Sequence, residues 1–214
     1  MAQITAVCVL HQLLPEPSNP DGTTAIDKRP VPGPVDVGPL GLSGDDHSDK
    51  RHHGGEDQAV YLYADEDSDW WAAELGRDIE PGLFGENLRT TGIDLSVALI
   101  GQRWRIGESG LIVEVTSPRD PCATFARRMG EPQWVRRFTQ RRAPGAYVRV
   151  VEPGPVARGD QVVALNEPDH DVTVADVMVP AAEGAAARLL EAEQSGHLQL
   201  TPRMRASATK QSAR

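Results

Sequence analysis

The sequence predicts a mainly β fold, and three observations carry that prediction. Glycine and proline are abundant, at 20 and 17 of the 214 residues. Aromatic residues are sparse, at 5%. The apolar residues fall in short, β-branched runs bounded by turn formers, not in long stretches of helical period. Gly and Pro punctuate a chain as turns, so their number favours many short strands over a helical bundle. Hydrophobic content of 39% and charged content of 25% lie in the globular range, and the length suits one domain with an appendage. The expected division is a β domain over residues 1–165 and a helical appendage over 166–214.

Residues 3–10 are loosely alternating and β-branched, and they read as a buried first strand. They carry no basic segment and no small-residue cleavage site, so they do not read as a signal peptide. Residues 15–34 read as an irregular arm or extended edge, because prolines at 15, 17, 20, 30 and 32 oppose regular pairing. A strand at 35–37 precedes a turn at 41–44, and 57–63 forms the next strand. Asp65, Glu66, Asp67 and Asp69 then start a helix that stops at Gly76, acids suiting the positive end of the helix dipole. A calcium loop is excluded there, since Trp70 and Gly76 stand where it needs Gly and Glu. About three strands with glycine turns fill 97–116, and short helices fill 122–129 and 132–142. Residues 146–151 and 161–165 are expected as a closing hairpin. Beyond 166 the chain holds one helix, 181–193, and a polar end, 201–214, expected to be mobile.

The net charge of −9 argues against nucleic acid or an anionic membrane as partner, because counterion release needs a basic surface. No apolar run approaches the length of a membrane span. Two cysteines are too few for a disulfide framework, a four-thiolate zinc site or an iron–sulfur cluster, and a reducing cytoplasm is the expected compartment.

Cys122 carries the most chemistry. It follows Ser117-Pro-Arg-Asp-Pro and precedes a helical run, so its thiol meets unpaired N–H groups near Arg119, and both favour the thiolate. Cys8 sits mid-strand among Val and Leu, as a small buried hydrophobe does. A second cluster, Gly44-Asp-Asp-His-Ser-Asp-Lys-Arg-His-His53-Gly-Gly, reads as a loop where backbone approaches a ligand and one imidazole lines a pocket. A self-contained zinc site there lacks helical His spacing and any Cys, while His47 and His52 also suit a solvated polar loop. In Gly82-Leu-Phe-Gly-Glu86-Asn87, the last two residues either present an acid and an amide to a pocket or cap a turn. Eight arginines lie between 119 and 149, mostly as solvated helix faces paired with acids. Arg119 and Arg149 sit at strand ends beside motifs and suit an anionic small molecule.

In this order the segments resemble the MOSC family, the domain type found at the C-terminus of molybdenum cofactor sulfurases, and its short bacterial YiiM-like branch. They are Thr24 to Val31 with Lys28-Arg29-Pro30, Gly41-Leu-Ser-Gly-Asp45, His53-Gly-Gly55 with Ala59-Val-Tyr61, Phe84-Gly-Glu-Asn-Leu88, Ile100-Gly101, Ser117-Pro-Arg119 with Pro121-Cys122, Gly145-Ala-Tyr147-Val-Arg149-Val150, and Gly159-Asp160. The resemblance spans residues 4–165. It implies a MOSC-type β-barrel with peripheral short helices, and a molybdenum–pyranopterin cofactor (molybdopterin) whose metal is ligated by Cys122. It implies reduction of N-hydroxylated compounds, such as N-hydroxylated nucleobases, to amines. Lys28, Arg29, Arg119, Tyr147 and Arg149 are then expected to hold the cofactor. His53, Glu86 and Asn87 join Cys122 as the catalytic wall, one of them delivering a proton. Relatives are expected to carry Gly-Trp-Tyr where this chain has Gly145-Ala146-Tyr147, and the longer relatives to carry a longer helical extension. The alternative is a non-redox module that carries the cofactor, or sulfur as a Cys122 persulfide.

A reductase must be recharged, and the chain has neither a dinucleotide fingerprint nor a cysteine set for iron–sulfur chemistry. A separate electron-donor protein is therefore expected, docking on the arginine-rich stretch 127–142.

Overall fold

The computed structural model describes residues 1–46, 54–196 and 198–212. His47, His52 and His53 therefore lie outside the described residues. In chain order the elements begin with strands β1 (Gln3–Pro15), β2 (Thr23–Pro30), β3 (Val35–Gly38), β4 (Gly41–Leu42) and β5 (Val60–Ala64). Helix α1 (Asp65–Leu75) follows, then β6 (Leu88–Thr91), β7 (Arg103–Ile106) and β8 (Leu111–Pro118). Helices α2 (Ala123–Met129) and α3 (Trp134–Arg141) precede β9 (Ala146–Glu152), β10 (Gly154–Val156) and β11 (Val162–Ala164). The chain ends in α4 (Val174–Val177), α5 (Ala185–Gln194) and α6 (Pro202–Ser212).

An eight-stranded mixed sheet runs β11-β7-β8-β9-β5-β6-β1-β2, and β10, β3 and β4 form a smaller second sheet. The barrel implied by the family resemblance does not close. β1 is 13 residues long and bulged, and its halves serve different partners: residues 3–7 pair with β6, and from Cys8 onward it pairs with β2. Residues near β11 reach β1 through an isolated bridge at Gln3 and Gln161 and a hydrogen bond from the Gly159 N–H to the Ile4 carbonyl, without a continuous ladder. A three-residue β11, already paired with β7, supplies no ladder for closure.

Other expectations also shift. Residues 23–30, read as an irregular arm, are a regular strand, because Pro30 ends it and Pro17 and Pro20 fall in the preceding loop. The closing hairpin is absent: β9 pairs with β8 and β5, while β11 pairs with β7. Residues 97–100 make no strand. The helices at 65–75, 123–129 and 134–141 form where the sequence places them, α1 ending on Gly76 in the left-handed region. The polar end is helical as α6, held to α5 by a two-pronged ion pair from Arg205 to Glu193 at 2.7 Å. No helix among the described residues is long and apolar enough to cross a membrane.

Side-chain alternation splits the core by chemistry. Val60, Leu62 and Ala64 of β5, with Ala146 and Val148 of β9, face an aliphatic core that also takes Leu189 of α5. Tyr61 and Tyr63, with Tyr147, face the other way into a cluster with Trp71, Phe84, Phe125, Trp134 and Phe138. The few aromatics are thus concentrated on one face, under α1 to α3. Trp134 and Phe138 lie 5.4 and 5.1 Å from Phe125, so α2 and α3 are fixed to each other through rings.

Phe138→Ala should cost about 3–5 kcal/mol, the range for emptying a buried aromatic site. Trp70→Ala, at a side chain 42% exposed, should cost about 1 kcal/mol or less. Urea unfolding of both variants checks this, and equal losses would contradict the aromatic-core assignment.

Candidate functional site

The open face of the aromatic cluster is a cleft with about 600 Å³ of empty volume, its mouth included. Strand pairing builds it. Tyr61 of β5 lies opposite Tyr147 of β9, and Ser117 of β8 lies on the far side of Tyr147. Their rings sit 5.0 Å apart, and the Tyr61 hydroxyl donates to the Pro144 carbonyl at 2.7 Å. Gly145 lets β9 start this close to β5, since a Cβ there would sit 2.3 Å from the Leu62 carbonyl oxygen.

Past the end of β8 the chain delivers Arg119 and Cys122 to the same cleft. The Arg119 guanidinium lies 5.0 Å from the Tyr61 ring centre and 4.6 Å from that of Phe125. It is buried, and its Nε finds no hydrogen-bond partner among the described residues. Burial pulls its pKa down, but the facing Tyr147, Tyr61 and Cys122 groups outweigh that pull and set the net shift upward. Gly85 has a φ of +77°, and a Cβ there would press on the Ile26 side chain at 3.1 Å. Cys122 is half-buried at the N-cap of α2. Burial pushes the Tyr147 phenol above its ordinary pKa, against the pull of Arg119.

The opposite wall comes from β2, whose Thr24, Ile26 and Lys28 alternate into the cleft. Behind them lies a buried polar knot centred on Asp45. Its carboxylate accepts from the Leu10 N–H at 2.9 Å, from the Asn87 amide at 2.7 Å and from the Lys28 ammonium. Asn87 in turn accepts from the Tyr61 N–H at 3.1 Å, so three segments meet at the carboxylate and β5 is tied to it through Asn87. Burial lowers the Lys28 pKa, with Asp45 opposing.

The structure brings Lys28, Asn87, Arg119, Cys122 and Tyr147 together. It places other expected residues elsewhere. Glu86 is fully buried, accepts from the Gly82 and Phe84 N–H groups at 2.7 and 3.0 Å, and takes an Arg89 hydrogen bond at 2.8 Å. It buttresses the 82–86 turn and does not line the cleft. Arg29 is half-exposed and reaches Asp27 at 3.2 Å. Arg149 is spent on Glu114 at 3.2 Å, Asp57 at 3.5 Å and the Gln199 carbonyl at 2.7 Å. His53 falls outside the described residues. The helix arginines are largely neutralised, Arg127 by Glu16, Arg128 by Asp27, Arg137 by Glu74 and Arg141 by Asp67. Sequence reasoning missed Asp45 as the keystone and Tyr61, Thr24 and Ile26 as wall. A strand reading of 23–30 would have found the β2 residues by alternation.

The MOSC domain profile matches residues 49–163, more than half of the chain. The chain belongs to the MOSC family. That family is associated with molybdenum cofactor binding. The chain is 33% identical over 151 residues to the uncharacterized protein YflK of Bacillus subtilis, covering 71% of this chain and 67% of that protein. It is 32% identical over 149 residues to a protein named reductase in Gibberella moniliformis, covering 68% of this chain but only 26% of that protein. The crystal structure of YiiM from Geobacillus stearothermophilus superposes with a TM-score of 0.78 at 25% identity, over 98% of each chain. Ala146, where relatives were expected to carry Trp, points into the aliphatic core and leaves the cleft wall to Tyr147.

Asp45→Ala should cost about 3–5 kcal/mol in denaturant unfolding, because it strands the buried Lys28 charge. A loss below about 1 kcal/mol would show that the knot does not hold the cleft wall.

Proposed function

We propose that this cleft holds a molybdenum–pyranopterin cofactor, with Cys122 as the protein ligand to the metal, and that the protein reduces N-hydroxylated compounds to amines. The observation that carries the reading is the convergence of one accessible thiol with two buried cations, Lys28 and Arg119, in one cleft of a MOSC chain. The donor set fits the group. A thiolate is a soft ligand suited to a soft, sulfur-bound metal. Among the described residues no group of three His, Cys, Asp or Glu side chains is arranged to hold a metal ion by itself. Of the two cysteines, burial pushes Cys8 up to about 12 and keeps it a thiol, leaving Cys122 as the donor.

When bound, the cofactor supplies two-electron reduction at a centre that accepts oxygen. The residues do the rest. The Arg119 guanidinium and the Lys28 ammonium line the cleft as donors for an anionic cofactor group, and Asn87 holds Asp45 and Lys28 in place for it. The overall change is R–NHOH + 2 e⁻ + 2 H⁺ → R–NH₂ + H₂O, so protons must reach the departing oxygen. Tyr147 is the candidate to hold one at its phenol oxygen, because it lines the cleft and a phenol is protonated at neutral pH. Glu86, spent on the 82–86 turn, is not available for that role. The electrons come from a separate donor protein.

Cys122→Ala should lose molybdenum, measured by mass spectrometry of protein from a cofactor-competent host, with its circular dichroism unchanged. Cys8→Ala should keep the metal and lose stability. A Cys122 variant with stoichiometric molybdenum contradicts the ligand assignment. Metal-free wild type with a persulfide at Cys122 would favour a carrier instead. NADH alone should drive no turnover of an N-hydroxylated base, and an added reductase and carrier should restore it.

A further inference from the structure

Helix α2 carries Cys122 at its N-cap, and two neighbouring arginines tie that helix to the β1–β2 hairpin in different ways. Arg128 reaches Asp27 of β2 at 2.7 Å, which fixes the helix to the body of the sheet. Arg127 reaches the connection between the two strands. Its Nε and Nη2 donate to one carboxylate oxygen of Glu16 at 2.9 and 2.6 Å. The Ser18 hydroxyl donates to the other oxygen at 2.7 Å and accepts from Arg127 at 2.9 Å. Exposed ion pairs usually contribute little, because water screens them and both side chains lose freedom. Here the carboxylate is only 4% exposed, and both of its oxygens are taken. The Ser18 hydroxyl, and then Arg127, hold the Glu16 carboxyl down at about 2, so the bridge is charged throughout the neutral range.

The connection is also braced within itself. The Glu16 N–H donates to the Gly22 carbonyl at 2.8 Å. The Asn19 N–H donates to the Glu16 carbonyl and the Gly22 N–H to the Asn19 carbonyl, each at 3.0 Å. The Asn19 amide holds the Thr23 carbonyl at 2.7 Å. Residues 16–22 therefore move as one piece, and Asn19 on that piece lines the same cleft as Cys122 and Thr124. Because Arg128 fixes the helix separately, losing the Arg127 bridge frees the loop and not the helix. We propose that Glu16 is a positioning residue: through Arg127 it clasps the 16–22 loop against α2, and so sets the size of molecule that reaches the Cys122 sulfur. The clasp acts on access to that sulfur whichever chemistry the cleft performs. A clasped rim admits a compact reactant and turns away a bulky one.

The test reads the sulfur itself, in full-length protein from a host that makes no molybdenum cofactor. Cys122 is labelled with N-ethylmaleimide and with the much larger, equally neutral pyrenyl maleimide, and peptide mass spectrometry locates the label. Cys8 is fully buried and does not compete. Glu16→Gln should raise the pyrenyl rate relative to the ethyl rate about tenfold, the order by which losing a charge-assisted hydrogen bond shifts an opening equilibrium. Arg127→Ala should do the same, and the double variant should go no further, because both single changes break one bridge. Arg127→Lys, at a half-exposed position where misfolding is not expected, should fall between wild type and Arg127→Ala. An unchanged ratio in these variants overturns the clasp. Equal acceleration of both reagents also overturns it, since that would report the uncovered Arg127 charge acting on the thiolate. A double variant that adds the two single effects overturns it as well. Failure of the reductase reading alone leaves all these rates as predicted, because neither metal nor turnover enters the measurement.

Discussion

The Asp45 carboxylate is the constraint on which the cleft depends. Only 2% of its side chain is exposed, and the Lys28 side chain whose ammonium it holds is 5% exposed. Taking two such charges from water is costly, and the cost is offset only when every lone pair and proton finds a partner. Here the backbone of β1 through Leu10, the β2 ammonium and the Asn87 amide all converge on it. Hydrophobic replacements could fill that space with comparable stability. What they would not do is fix β2 against β1 in the one register that turns Thr24, Ile26 and Lys28 into the cleft.

The second support is aromatic. Alternation in β5 and β9 sends aliphatic side chains one way and tyrosines the other, so a chain poor in aromatics still builds a continuous ring cluster behind the site. Arg119 rests between two of those rings, whose faces stabilise its charge, with no carboxylate at ion-pair distance among the described residues. A guanidinium held this way keeps its donors for something else. The same cluster anchors α2 through Phe125, which sets where Cys122 stands at the start of that helix.

Much of this was legible in the sequence, and the failures have physical reasons. The helices at 65–75, 123–129 and 134–141 announced themselves through acids at a start, a thiol before an apolar run, and glycine at an end. Cys122, Arg119, Lys28 and Asn87, singled out by spacing and by the family resemblance, line one cleft. β2 was hidden because its flanking prolines were counted as breakers, although a strand tolerates proline at its end. The open sheet was hidden because closure depends on the length and bulges of β1, which a hydrophobic pattern does not encode. Glu86 and Arg149 were misplaced for a common reason. A charged residue beside a motif has the right chemistry, but only tertiary contacts show whether a turn or a neighbouring carboxylate has already taken it.

The central claim is a bond from the Cys122 sulfur to a cofactor metal in a cleft lined by Lys28 and Arg119. The most direct measurement is X-ray absorption at the molybdenum edge, on wild type and on Cys122→Ser, both from a cofactor-competent host. The account predicts one sulfur neighbour more around molybdenum in the wild type than in any metal the serine variant retains. The same sulfur count in both proteins would contradict it.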